Sequence, residues 1–371
     1  MDDPVELTKQ LAQINSINPS LVDGAPGEAE VAAFVAAWCQ QRGFEVHVTD
    51  VVPGRPNVVA IKRGSGGGRS LLFNGHLDTV GASSDETMRV TEAGDRLIGR
   101  GVLDTKGGLA CALVAAASIN AGELAGDLIV AAVADEEYAS LGTEALVAAW
   151  TPDAAVILEP SDLAIIPRHK GFAVIDAAFT GRPSHTSRPD RGANAVHAAA
   201  QAITQLADLD IRWAVESNAS ADRPLVLVSR VNSGGETFTV PAHCELVVEL
   251  RTTAAGADEQ VLAVIDTIRA AAVDTQAVAS VALSRPPLSL GDDARLVIAL
   301  KESLAAHHDA VPLVRTAPYW TDAALHAAAG TPAVVFGPTG EGLHEDLEWV
   351  SSASLRTCAA TLQTLARTWC A

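Results

Sequence analysis

At 371 residues the chain exceeds what one small core organises, and a hydrophobic content of 48% supports a large interior rather than disorder. A formal net charge of −19, with no Lys/Arg cluster to offset it locally, argues against nucleic acid as a partner. No apolar run approaches the roughly 20 residues of a bilayer span, and five scattered cysteines without a CxxC pair fit free thiols in a reducing compartment.

In chain order, apolar spacing predicts helices over 5–15 and 28–42, then strands over 44–48 and 57–61. A flexible turn, Gly64-Ser65-Gly66-Gly67-Gly68, follows; it lacks the lysine and helix start of a phosphate loop. From there strands and helices alternate. Strand 70–73 leads into His76 and Asp78, and Asp104-Thr105 opens an Ala-rich helix to 117. Strand 128–133 leads into Glu136 and Glu137, helix 142–150 follows, and strand 155–158 leads into Glu159. This repetition predicts an α/β fold with a mixed sheet covered on both faces, and places side chains of chemical interest at the carboxyl ends of strands.

The pattern changes near Gly171. Strand 172–179, helix 193–206, strands 225–231 and 244–251, helix 257–272 and strand 280–283 read β-α-β-β-α-β, a ferredoxin-like α+β domain. Elements at 294–307, 311–315, 322–329, 333–336 and from 352 onward return to the first domain. The expected division is therefore 1–170 with 287–371 as a catalytic metal-binding domain, and 171–286 as an inserted lid.

Two imidazoles and several carboxylates recur at these strand ends, a donor set suited to borderline divalent cations such as Zn²⁺, with Co²⁺ or Mn²⁺ able to use the same ligands. Two ions about 3.5–4 Å apart need a bridging carboxylate, and Asp104 is the candidate; alone it reads more readily as a helix cap, but its position between His76 and the acidic pair reverses that preference. His76 and Asp78 lie two apart on an extended segment, so they share a side, and the carboxylate can accept the second ring N–H. Of the adjacent Glu136 and Glu137, one can ligate while the other acts as general base. Glu159 and His344 complete the two shells.

The segments Gly75-His76-Leu77-Asp78-Thr79-Val80, Gly101 through Asp104-Thr105-Lys106-Gly107-Gly108, Asp135-Glu136-Glu137, Glu159-Pro160-Ser161 and Gly342-Leu343-His344 together resemble the M20 di-zinc metallopeptidases. Within them the chain is most similar to the acetylornithine deacetylase / succinyl-diaminopimelate desuccinylase group. The resemblance implies a di-zinc aminopeptidase-like catalytic domain in which Asp104 bridges two metals. It implies further that His76 and Glu159 hold one ion, Glu137 and His344 hold the other, Glu136 is the general base and Asp78 orients His76. Pro183-Ser184-His185-Thr186-Ser187 matches the lid segment whose histidine stabilises an oxyanion, and Arg251 matches the substrate-carboxylate position. Two departures fall near the expected substrate: Thr239, where many members have Asn, and Glu249-Leu250-Arg251 in place of Asp-x-Arg. Tyr319-Trp320-Thr321-Asp322 falls where a pocket-lining loop is expected, and the remaining histidines are assigned to the surface or to support behind the site.

The implied reaction is hydrolysis of the amide of a small N-acyl amino acid, with a dipeptidase or small carboxypeptidase as the alternative using the same ions. The expected protein is a cytoplasmic homodimer joined through the lid, with neither membrane nor nucleic acid as a partner. The acidic start Met1-Asp2-Asp3-Pro4 lacks the basic-then-apolar layout of a secretory leader.

Overall fold

A computed structural model describes residues 2–120, 122–218 and 222–371. The chain divides into two compact units, one of Met1–Arg168, Leu290–Arg315 and Thr321–Ala371, the other of His169–Ser289 and Thr316–Trp320.

In the larger unit one mixed sheet runs in the order Glu45–Val52, Arg55–Lys62, Leu128–Val133, Leu71–His76, Ala155–Ile157, Ala333–Val335, Ile165–His169. Its central four strands are parallel, and the outer pairings are antiparallel. Successive residues alternate across it. Leu71, Phe73, Leu128, Val130 and Ala132 join a core with Leu7 and Leu11 of helix Pro4–Gln13, Leu109 and Leu113 of helix Lys106–Ala117, and Leu355 and Leu362 of helix Ser352–Trp369. The intervening Leu72, Ile129, Ala131 and Val133 are also buried; helix Leu141–Ala149 packs against Leu128–Val133, and helix Ala323–Ala328 against Ala155–Ile157 and Ala333–Val335. Burial on both faces is why Leu128–Val133 reads as an unbroken apolar run.

A second, small sheet pairs Gly340–Glu341, Trp349–Ser351, Arg96–Ile98 and Thr91–Ala93. Its strands have two or three residues each, too few for any periodicity, and the sequence gives no sign of it. It sets the loop that carries His344.

The smaller unit is an antiparallel sheet in the order Leu225–Ser233, His243–Thr252, Gly171–Thr180, Gln276–Arg285. Helices Ala195–Glu216 and Ala257–Ala270 cover one face, placing Ala199, Ala202, Leu206, Val264 and Ile268 against Ile175, Phe179, Leu246, Val248 and Leu250. This is the ferredoxin-like arrangement. The first helix runs ten residues past the expected 206 because Leu209 and Trp213 continue its apolar stripe. The segment Thr316–Trp320, expected with the larger unit, goes with the smaller one. The Trp320 indole donates to Pro286 O at 3.0 Å, and its ring meets Phe172 edge-on with centroids 5.8 Å apart.

Candidate metal centre

The parallel strands deliver their side chains to one end of the sheet. His76 closes Leu71–His76, Asp135-Glu136-Glu137 follow Leu128–Val133, and Glu159 comes two residues after Ala155–Ile157. Asp104 precedes helix Lys106–Ala117, whose Gly108 has a structural duty: a Cβ there would lie 2.2 Å from Leu158 O, beside Glu159. Only glycine lets that helix lie so close to the strand end.

Asp104 presents its two oxygens to different imidazoles. Oδ1 lies 3.1 Å from His76 Nε2, and Oδ2 lies 3.3 Å from His344 Nε2. His344 Nε2 is also 3.1 Å from Glu137 Oε2, and His76 Nε2 is 3.8 Å from Glu159 Oε1. Donor atoms of His76, Asp104 and Glu137 all fall within 4.8 Å of one another. Asp104 thus stands between a His76/Glu159 pair and a His344/Glu137 pair, and the ion pairs of these carboxylates among the described residues are with the two imidazoles. This mixture of nitrogen and oxygen donors around one central carboxylate fits a pair of divalent cations.

The electrostatics say the same. Burial, reinforced by Glu159 and Asp322, pushes the Glu136 carboxyl well above the usual range, and burial does likewise for Glu159. Burial alone would also raise Asp104, yet hydrogen bonds from His344 and His76 hold it low. Hydrogen bonds to Asp104 and Glu137 raise His344 to about 10. Burial works against a charge on His76, but Glu159 and Asp104 overcome it and hold its proton well above the ordinary range. The cluster collects positive charge on its imidazoles, the charge that bound cations would supply instead.

Asp78 is placed differently from the expectation. His76 Nδ1 lies 2.9 Å from the main-chain oxygen of Asp78, while the nearer carboxylate oxygen is 3.7 Å away. The carboxylate is already engaged: Oδ1 accepts from Glu136 N and Oδ2 from Glu137 N, both at 3.1 Å, and Asn18 Nδ2 donates to Oδ2 at 2.7 Å. Burial raises the Asp78 carboxyl to about 6. Its carboxylate therefore orients the turn that carries Glu136 and Glu137, and its main chain orients the ring.

Behind this turn lies a buried polar support that the sequence reading missed. Asn18 Nδ2 also donates to Asp135 Oδ1 at 3.1 Å, Arg55 Nη1 donates to the same oxygen at 2.6 Å, and Arg55 Nε donates to Glu28 Oε2 at 2.9 Å. On another side, Asn74 Nδ2 donates to Thr143 Oγ1 at 3.0 Å and meets His326 Nε2 at 3.1 Å, while Thr143 Oγ1 donates to Asp322. His326 and His169 are buried; His47, His197, His243, His307 and His308 are exposed. The one sequence clue to the first group is that Asn18 and Glu28 bound a Pro- and Gly-rich stretch without periodicity.

In the smaller unit, His185 and Thr239 face each other across an isolated β-bridge, extended by Thr186 N to Phe238 O at 2.9 Å and Val240 N to Ser184 O at 2.8 Å. His185 is exposed, and its Nδ1 lies 2.8 Å from Ser187 Oγ. Arg251 lies elsewhere on the sheet, paired in register with Phe172, its guanidinium 5.5 Å from that ring's centroid.

Residues 72–368 match the profile of peptidase family M20/M25/M40. The chain is 31% identical over 354 residues to an acetylornithine deacetylase of Myxococcus xanthus, covering 93% of this chain and 90% of that one. Among solved structures it resembles the aminopeptidase PepT of Bacillus cereus, with TM-score 0.84, 19% identity, and 98% and 97% of the two chains covered. It also resembles the YXEP protein of Bacillus subtilis, a dinuclear metal-binding peptidase of the M20 family, with TM-score 0.74, 17% identity, and 99% and 97% covered.

Proposed function

The chain belongs to peptidase family M20/M25/M40 and is a metal-dependent amidohydrolase, and from its site geometry we propose that it hydrolyses the amide bond of small N-acyl amino acids, as an acetylornithine deacetylase does. The observation that carries this reading is the central Asp104, whose two oxygens address His76 and His344 separately. His76, Glu159, Asp104, Glu137 and His344 would hold two divalent ions, Zn²⁺ in the first instance and Co²⁺ or Mn²⁺ on the same ligands. Bound there, the ions would supply Lewis-acid activation of water and of the scissile carbonyl.

The remaining work falls to side chains. Glu136 accepts the proton of the attacking water and returns it to the leaving amine nitrogen; its raised carboxyl suits that exchange. His185 donates to the developing oxyanion, and Arg251 pairs with the free α-carboxylate through its planar fork. Thr239, bridged to His185, contacts the acyl half. The 31% identity with an acetylornithine deacetylase along nearly the whole chain favours an N-acetyl amino acid over a peptide.

Homodimerisation through the inserted domain belongs to the same reading. It is supported by Leu227 and Val231 on one edge strand and Val278, Val281 and Leu283 on the other, all exposed. Five buried free cysteines support residence in the cytoplasm, and among the described residues no helix is long and apolar enough to cross a membrane.

The test is amine release with Zn²⁺ or Co²⁺ restored, from N-acetylornithine, N-acetylmethionine, N-succinyl-diaminopimelate and several dipeptides. Preference for an N-acetyl amino acid supports the proposal. Preference for dipeptides replaces it with a dipeptidase on the same ligands.

A further inference from the structure

Glu348 is 1% exposed, yet its carboxylate is fully engaged. Oε1 accepts from Leu103 N at 2.8 Å and Asp104 N at 3.1 Å, and Oε2 accepts from Gly101 N at 2.9 Å and Arg100 Nη1 at 2.8 Å. Arg100 then reaches back, its Nη2 donating to Glu345 O at 2.8 Å, while Gly99 N donates to Glu348 O at 3.0 Å. The loop between is tight: Gly342 has φ +91°, and a Cβ there would lie 1.9 Å from Leu347 O. Residues 99–104 and 342–348 are thereby fastened into one piece. One carries Asp104 and the other His344, which meet at 3.3 Å.

A buried ion pair is by itself weak evidence for stability, and Arg100 would need only one carboxylate oxygen. What sets Glu348 apart is that three of its four donors are main-chain amides of the turn ending in Asp104, so its position dictates where that turn lies. We propose that Glu348 is a positioning residue that holds Asp104 and His344 in common register, so that both halves of the metal centre close together. This inference rests on the two-ion reading given above.

The test titrates metal-depleted full-length protein with Zn²⁺ against a chromophoric chelator and counts ions by elemental analysis after dialysis. Wild type is expected to hold two ions. Glu348→Gln, which gives up the charge and one acceptor, is expected to keep native circular dichroism but to hold one ion, or two with affinity weakened about 10–100-fold, the effect typical of groups supporting metal ligands. Glu348→Asp keeps the charge with a shorter reach and is expected to fall between; it carries the test if the Gln variant does not fold. Two ions with affinity within about threefold of wild type overturn the inference, even where the melting temperature falls, because that marks a structural role alone. Fewer than two ions in wild type overturns the two-ion reading and this inference with it.

Discussion

His326 makes the larger unit acid-sensitive in a way that can be isolated. The ring is 1% exposed, and Nε2 accepts from Asn74 Nδ2 at 3.1 Å, which leaves its proton on Nδ1. Burial pushes the imidazole down to about 4 from an ordinary value of 6.5. Between those values the unfolded chain takes up a proton that the folded chain refuses. The unfolded state then binds more protons, so stability is complete above pH 6.5 and declines as pH falls toward 4. At about 1.4 kcal/mol per pH unit the gap corresponds to about 3 kcal/mol. The comparison is His326→Gln, which is neutral throughout and can still accept from Asn74. Urea unfolding of metal-depleted wild type and variant at pH 4 to 7 removes metal loss from both curves, and carboxylate titrations common to the two proteins cancel. Wild type is expected to lose about 3 kcal/mol relative to the variant over that window. Parallel curves would refute the assignment of a buried neutral imidazole.

Three further outcomes follow from the site. Glu136→Gln should keep both ions but lower kcat by about 10²–10⁴-fold in the amine-release assay; near-normal turnover with metal bound would remove Glu136 as the base. Asn18→Leu takes away the donor shared by Asp78 and Asp135 and should cost about 3 kcal/mol in urea unfolding, with a loss under about 1 kcal/mol counting against the buried support. Cations must displace the protons held on His76 and on His344, whose value is about 10, so metal affinity should rise about tenfold or more per pH unit between pH 6 and 8 in chelator competition. A pH-independent affinity would contradict that imidazole ligation.

Part of the candidate cluster was legible because His76 closes a strand and Glu137 and Glu159 follow strands closely, and strand ends announce themselves through apolar runs such as Leu128–Val133; Asp104, before a helix, and His344, in a loop, have no such marker. Long-range polar contacts send no such signal. Asn18 meets Asp78 and Asp135 from 60 and 117 residues away, and Arg100 meets Glu348 across 248. Nothing in a period of 2 or 3.6 marks such pairs. The Asp78 expectation erred for a related reason. Strand alternation correctly put it on the side of His76, but pattern alone could not reveal that the amides of Glu136 and Glu137 would claim its carboxylate first.

The same division separates the chemistry of this chain from its choice of substrate. The groups proposed to bind cations lie in the larger unit beside Asp78, Asn18 and Glu348, all buried and each hydrogen-bonded to more than one partner. Such a framework resists change, since altering one member strands several buried polar groups. The positions departing from the family pattern, Thr239 and Glu249, lie instead in the smaller unit, and neither is fully buried. Thr239 is held to His185 by a single bridge, and Glu249 lies on a strand whose register is fixed by main-chain pairing on both sides. On the proposed reading, Thr239 and Arg251 are the residues of this chain on which a change of substrate should register first, as a change in KM across the panel at unaltered metal content.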